Sequence, residues 1–237
     1  FILLIIIQTN IPIFGKTVRV ACVGNSITYG MTLPLRDEQA YPACLQRMLG
    51  DAYEVRNFGR SGTTLLSKGH NPYIRTPEYK DALDFAADIV LIHLGINDTD
   101  PRNWPNYKDD FVNDYVDLIH SFRRVNPNCR VIVARLTPIT VYHPRFVSGT
   151  RDWRESIQNL IETVVRATGV EHVDFEKSLY VYPHLLPDAI HPNPEGAEKL
   201  AYAAYSAITG NFGGLRMPDI YTDNITTRGR IENCRKS

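Results

Sequence analysis

The chain has 237 residues, of which 43% are hydrophobic and 22% charged, values typical of a globular protein with one sizeable core. Its 26 basic residues equal its 26 acidic residues, so no basic surface favours a nucleic-acid partner and no charge excess favours disorder. The four cysteines, at positions 22, 44, 129 and 234, lack the Cys-x-x-Cys spacing of a zinc site.

The N-terminus opens with the apolar run "FILLIII", which is too short to span a bilayer. The stretch "QTNIPIFGK", which contains small and polar residues, follows it, as in the part of a secretory signal peptide that comes after its apolar region. We therefore predict that residues 1–15 are a signal-peptide remnant and that the protein is exported. The alternative is a buried first strand. No other segment predicts a membrane span.

Strand-like and helix-like segments then alternate along the chain. The strand-like runs are rich in β-branched residues and almost continuously apolar, as in strands that are covered on both faces. They cover 18–23, 53–58, 89–94, 130–136 and 170–175. Helical patterns cover 41–50, 76–87, 107–125, 151–169 and 193–210. This alternation predicts an α/β fold, with one doubly wound, five-stranded parallel sheet and helices on both faces.

Ligands of such sheets bind outside the C-terminal ends of the strands, and four short segments are predicted there. "GNS" supplies Ser26, "NFGRSG" supplies Gly59 and Gly62, "GIND" supplies Asn97, and "DAIHP" supplies Asp188 and His191. Each segment alone is explained by an ordinary turn or helix cap.

Together, these side chains contain the parts of an acyl-transfer site. Ser26 is a candidate nucleophile, and His191 is a candidate base. Asp188, three residues before His191, can accept a hydrogen bond from its other ring nitrogen. The Ser26 and Gly62 N–H groups and the Asn97 amide are candidate donors to an oxyanion. The chain has no Gly-x-Ser-x-Gly elbow, no Gly-x-Gly-x-x-Gly loop and no cluster with metal-ligand spacing.

The order Ser26, Gly62, Asn97, His191 resembles the four sequence blocks of the SGNH, or GDSL-type, hydrolases. The first block of that family usually reads Gly-Asp-Ser, where this chain has Gly-Asn-Ser. The family's oxyanion glycine usually follows a strand-end Asn by five residues, which selects Gly62 over Gly59. The resemblance covers about 18–209 and implies a flavodoxin-like SGNH hydrolase domain, which we place at residues 16–210.

Three further segments, "SKGHNPYIRTPEYKDAL", "NDTDPRNW" and "LLPDAIHPN", resemble the sialate O-acetylesterase-like branch, which deacetylates sugars. The resemblance implies that the substrates are acetylated carbohydrates, of the sialic acid or xylan type. Together with the predicted signal peptide and the candidate triad, it leads us to expect an exported serine esterase that removes these acetyl groups without a cofactor. The alternatives are a lipase or thioesterase of the same superfamily and a non-catalytic carbohydrate-binding domain.

The loops "GRSGTTLLSKGHNPY", "GINDTDPRNWPNY" and "TPITVYHPRFVSG" are expected to rim the site. Within them, Arg60, Trp104 and His143 are candidate substrate contacts, with Trp104 as a stacking face for a sugar ring. His93 lies inside a strand and is expected in the core. Residues 211–237 are too short to form a core of their own, and we expect a C-terminal appendage, such as the start of a truncated second domain.

Overall fold

A computed structural model describes residues 16–140 and 150–211 of the chain. The proposed signal-peptide remnant at 1–15 lies outside these residues, and so does the C-terminal appendage apart from Asn211. Export and the domain boundaries therefore stay predictions. None of the described helices is long and apolar enough to cross a membrane.

The described residues form a five-stranded sheet in which every strand pairing is parallel. Its strands are β1 (Val18–Gly24), β2 (Tyr53–Gly59), β3 (Ile89–His93), β4 (Arg130–Arg135) and β5 (Glu171–Asp174). The spatial order is β2-β1-β3-β4-β5. The predicted fold class is thus confirmed, and each predicted strand end lies within one residue of the observed one.

The helices follow the strands along the chain. They are α1 (Ser26–Tyr29), α2 (Arg36–Gln39), α3 (Tyr41–Leu49), α4 (Pro77–Phe85), α5 (Trp104–Tyr107), α6 (Phe111–Val125), α7 (Thr150–Thr168), α8 (Phe175–Leu179) and α9 (Pro194–Thr209). The five longer helices were expected from sequence, whereas the single-turn helices were not. Thr76 caps α4, because its side chain accepts a hydrogen bond from the Tyr79 N–H at 3.2 Å.

The helices form two layers. Helices α3 and α9 pack on each other, while α6 packs on both α4 and α7. Right-handed crossovers explain this division. The chain moves from β1 to the edge strand β2 through α3, and then back across the sheet through α4, α6 and α7, which places these helices on the opposite face.

The three central strands, β1, β3 and β4, are mostly buried between these layers, whereas the edge strands β2 and β5 are partly exposed. All five residues of β3 are buried, including His93, whose predicted core position is confirmed. Burial lowers the pKa of His93 to about 3, so the ring is neutral in the core. Cys22, Cys44 and Cys129 are buried free thiols.

Candidate active site

Ser26 stands where β1 ends and the single turn α1 begins. The Asn25 side chain caps this turn by accepting a hydrogen bond from the Ile27 N–H at 3.0 Å. Gly24 permits the sharp exit, since a Cβ at that position would collide with Thr28 and with the His93 carbonyl. The Ser26 N–H, at the start of the turn, has no acceptor within the helix. This polar turn thus places Ser26, which is only 6% exposed, at the C-terminal end of the sheet.

Asp188 and His191 lie on one tight turn that precedes α9. The Asp188 Oδ1 accepts the backbone N–H groups of Ile190 at 3.1 Å and His191 at 2.7 Å. Ala189, between them, adopts a left-handed backbone with φ of +72°. The turn leaves the second carboxylate oxygen, Oδ2, 2.6 Å from the Nδ1 of His191.

The other edge of the His191 ring faces Ser26. The Nε2 of His191 lies 2.8 Å from the Ser26 Oγ, across 165 positions of sequence. Burial would raise the pKa of Asp188, but the hydrogen bonds from His191 and Ile190 outweigh it and lower that pKa. The carboxylate is therefore ionised at neutral pH and can accept a hydrogen bond from the His191 Nδ1–H. In that tautomer, Nε2 can accept a hydrogen bond from the Ser26 hydroxyl.

Gly62 and Gly59 have different environments. Gly59 ends β2, and its N–H is already donated to the Asn57 Oδ1 at 2.9 Å. Gly62 has a positive φ of +78° and lies in the turn after β2, beside the cavity that Ser26 lines. Within the described part of the chain, the Gly62 N–H has no hydrogen-bond acceptor. These positions favour Gly62 as the oxyanion donor.

Asn97 follows β3 and reaches toward the same turn. Its Nδ2 donates one hydrogen to the Thr63 carbonyl at 2.9 Å, and its second amide hydrogen remains for the cavity. The neighbouring Asp98 is fully buried and accepts the N–H groups of Leu65 at 2.9 Å and Leu66 at 2.8 Å. Through these hydrogen bonds, Asn97 and Asp98 therefore hold the loop that carries Gly62.

Burial raises the pKa of Asp98 to about 7, although these two N–H donors act in the opposite direction. The Asp114 carboxylate nearby adds a smaller increase. Asp98 was not singled out from the sequence, where Asn-Asp after a strand is equally typical of a helix cap.

A cavity of about 310 Å³ opens beside these groups. Ser26, Gly62, Asn97 and His191 all line it. The other lining residues come mainly from the two described loops that were expected to rim the site. They are Met31, Ser61, His70, Ile96, Thr99, Asp100, Pro101, Arg102 and Ile190.

Two of the expected substrate contacts do not line this cavity. Trp104 is only 4% exposed and packs edge-on against Phe111 at 5.6 Å, so its ring belongs to the core and not to a sugar-stacking face. The Arg60 guanidinium is bound to Glu78 at 3.0 Å, outside the cavity lining. His143 lies outside the described residues, so its contact with substrate stays a prediction.

Three polar side chains in the cavity wall were missed by sequence reasoning. His70, Asp100 and Arg102 were treated only as parts of the two rim loops. The Asp100 carboxylate accepts the Arg102 guanidinium through two hydrogen bonds, at 2.9 and 2.7 Å. These bonds lower the pKa of Asp100 to about 2. Among the residues described, no group of three or more acidic, Cys or His side chains is arranged to hold a metal ion.

The chain is similar in sequence to known hydrolases. Residues 22–199 match the GDSL-like lipase/acylhydrolase family. An acetylxylan esterase from Xylanibacter ruminicola is 35% identical over 208 residues, which cover 81% of this chain and 43% of that protein. The chain thus spans less than half the length of this relative.

Solved structures share the fold at lower identity. Est24, a carbohydrate acetylesterase from Sinorhizobium meliloti, superposes with a TM-score of 0.65 at 19% identity, covering 81% of this chain and 99% of that structure. The acetyl xylan esterase AlAXEase superposes with a TM-score of 0.60 at 20% identity, covering 81% and 100%. At these identities the likeness concerns the fold alone.

Proposed function

Since the chain belongs to the GDSL-like lipase/acylhydrolase family, we propose that it is a serine esterase that removes acetyl groups from carbohydrates. One observation carries the catalytic part of this proposal. Asp188, His191 and Ser26 form a continuous hydrogen-bonded series, at 2.6 and 2.8 Å, that ends at a cavity. The 35% identity to an acetylxylan esterase supports the choice of substrate class.

In the acylation step, the Ser26 Oγ attacks the acetyl carbonyl carbon while the His191 Nε2 takes the hydroxyl proton. Asp188 fixes the tautomer of His191 and stabilises its cation. The Ser26 and Gly62 N–H groups and the free amide hydrogen of Asn97 donate to the developing oxyanion. As the tetrahedral intermediate collapses, the bond to the sugar oxygen breaks and His191 returns the proton to that oxygen.

Deacylation reverses these roles with water in place of the sugar. His191 removes a proton from the water, whose oxygen attacks the acetyl carbon of the acyl-enzyme. The second tetrahedral intermediate collapses to acetic acid, which ionises to acetate in solvent, and His191 protonates the Ser26 Oγ again.

The cavity favours a short acyl group on a polar partner. Met31, Ile96 and Ile190 are the large apolar side chains in its described lining, and most of the other residues are polar. A lipase site would instead offer a long apolar surface, where each buried CH₂ contributes about 0.8 kcal/mol.

The substrate class is tested by comparing acetyl, butyryl and octanoyl esters of 4-nitrophenol, alongside acetate release from acetylated xylan and from O-acetylated sialic acid. We expect kcat/KM to fall as the acyl chain lengthens, with acetate released from at least one glycan. Octanoyl turnover that equals or exceeds acetyl turnover, with no acetate from either glycan, would favour a lipase or thioesterase. Glycan binding with no ester turnover would favour a non-catalytic binding domain.

A further inference from the structure

His70 lies in the wall of the cavity that Ser26 and His191 also line, but it has no place in the proposed proton transfers. From its contacts we infer that His70 is a substrate-binding residue, whose Nε2–H donates a hydrogen bond to an oxygen of the sugar that carries the scissile acetyl group. The inference rests on the proposed function and adds a specificity-determining contact to it.

The orientation of Asn103 fixes the chemistry of His70. Asn103 is fully buried, and its Oδ1 accepts the His70 backbone N–H at 2.9 Å. Its Nδ2 donates to the Asn97 carbonyl at 3.0 Å. Because a backbone N–H can only donate and a carbonyl can only accept, these two contacts determine which end of the amide is oxygen and which is nitrogen.

The second hydrogen of the Asn103 Nδ2 then points to the imidazole. The Nδ1 of His70 lies 3.0 Å from Nδ2 and 3.2 Å from Oδ1. If Nδ1 carried a proton, it would donate to the Asn103 Oδ1 at 3.2 Å, and the second hydrogen of the buried Nδ2 would be left without an acceptor, which costs about 1–3 kcal/mol. Nδ1 is therefore the acceptor, and the proton of the neutral ring is on Nε2.

The Nε2–H is directed away from Asn103, because the two ring nitrogens flank Cε1 and their hydrogen bonds diverge at a wide angle. His70 is an exposed residue in the cavity wall, so this edge is available to a bound molecule. Through Asn103, the same ring is connected to the backbone carbonyl of Asn97, whose side-chain amide is the proposed oxyanion donor. A donor held in this way is oriented before substrate arrives, which reduces the entropy lost on binding.

The rest of the wall is suited to a neutral sugar. The paired Asp100 and Arg102 cancel each other's charge beside His70. A hydroxyl or ring oxygen of an uncharged sugar is an appropriate acceptor for the Nε2–H. Such a sugar carries no charge that an additional cationic side chain would have to neutralise.

The test compares His70→Phe, which keeps a planar ring but removes both nitrogens, with His70→Gln, which restores an amide donor. The matched control is His120→Phe, at an exposed position on α6 away from the cavity. Acetate release from acetylated xylo-oligosaccharides and hydrolysis of 4-nitrophenyl acetate are measured for each protein. The readout is the kcat/KM for the oligosaccharide divided by the kcat/KM for 4-nitrophenyl acetate. Thermal unfolding checks that each variant is folded.

We expect His70→Phe to lower this ratio by about ten-fold, as for the loss of one hydrogen bond, mainly through KM for the oligosaccharide. His70→Gln should recover part of the loss, and His120→Phe should leave the ratio unchanged. An unchanged ratio in His70→Phe, or an equal loss on both substrates, would overturn the inference while the proposed esterase remained. Failure of the wild-type protein to release acetate from any oligosaccharide would instead overturn the proposed carbohydrate specificity, and the inference with it.

Discussion

Replacing Asn97 by Ala removes a side chain that has two separate hydrogen-bonding tasks. One hydrogen of its Nδ2 is used by the Thr63 carbonyl at 2.9 Å, so a single hydrogen remains for the oxyanion. The loss of one such donor corresponds to roughly 10²–10³ in kcat. KM should change little, because the oxyanion exists only in the transition state and not in the bound ester.

The assay measures kcat and KM separately with 4-nitrophenyl acetate over a range that saturates the wild-type protein. Loss of the Thr63 hydrogen bond should also lower the free energy of unfolding by about 1 kcal/mol, which urea titration measures. Asn97→Asp is the matched variant of equal size. Its carboxylate cannot donate to Thr63 or to an oxyanion, so kcat should fall at least as far. A tenfold rise in KM with an unchanged kcat would make Asn97 a substrate-binding residue and refute its oxyanion role.

Two other substitutions test the groups that support the site. Asp188→Asn should lower kcat by roughly 10³–10⁴, because an amide no longer selects the Nδ1–H tautomer of His191; a change of only a few-fold in ester turnover would separate Asp188 from catalysis. Asp98→Asn tests the buried carboxyl, whose pKa is raised from 3.8 to about 7. A raised pKa means that the folded wild-type protein keeps a proton on Asp98 at pH values where the unfolded chain has lost it. Its free energy of unfolding, relative to that of the variant, should therefore fall by about 3 kcal/mol as the pH rises from 5 to 8. Urea unfolding of both proteins at the two pH values checks this, and an equal difference at both would contradict the raised pKa.

The sheet could be predicted from sequence because burial on both faces leaves an unambiguous pattern. Strand β3, "IVLIH", is fully buried, and even its histidine is in the core. The alternation with amphipathic helices then predicts parallel strands, and the handedness of the crossovers determines the face on which each helix lies; the strand order itself was not predicted. Ser26 and Asn97 follow strands β1 and β3, which are neighbours in the sheet, so their positions at one edge followed from the fold.

Local chemistry predicted part of the site. The three-residue spacing of Asp188 and His191 was sufficient to expect their contact, although the left-handed backbone of Ala189 gave no signal in the sequence. Trp104 was a candidate stacking face for a sugar ring, but an aromatic residue in a strand-end loop can also turn inward, as it does here against Phe111.

The position of His70 depends on contacts that sequence reasoning could not anticipate. Its partner Asn103 is 33 residues away and in another loop. Asp98 is similar, since its carboxylate binds N–H groups 32 and 33 residues earlier in the chain. Such contacts between loops have no periodic pattern, and they become visible only when the sheet brings the loops together.

The nucleophilic role of Ser26 is tested most directly by the turnover of 4-nitrophenyl acetate in Ser26→Ala, compared with the wild type after thermal unfolding has verified the fold. The Oγ, 2.8 Å from the His191 Nε2, is the atom proposed to form the acetyl-enzyme. Its removal should lower kcat by roughly 10⁴-fold or more, as for other serines of this kind. A correctly folded Ser26→Ala protein that retained turnover within a few-fold of the wild type would contradict the proposed mechanism.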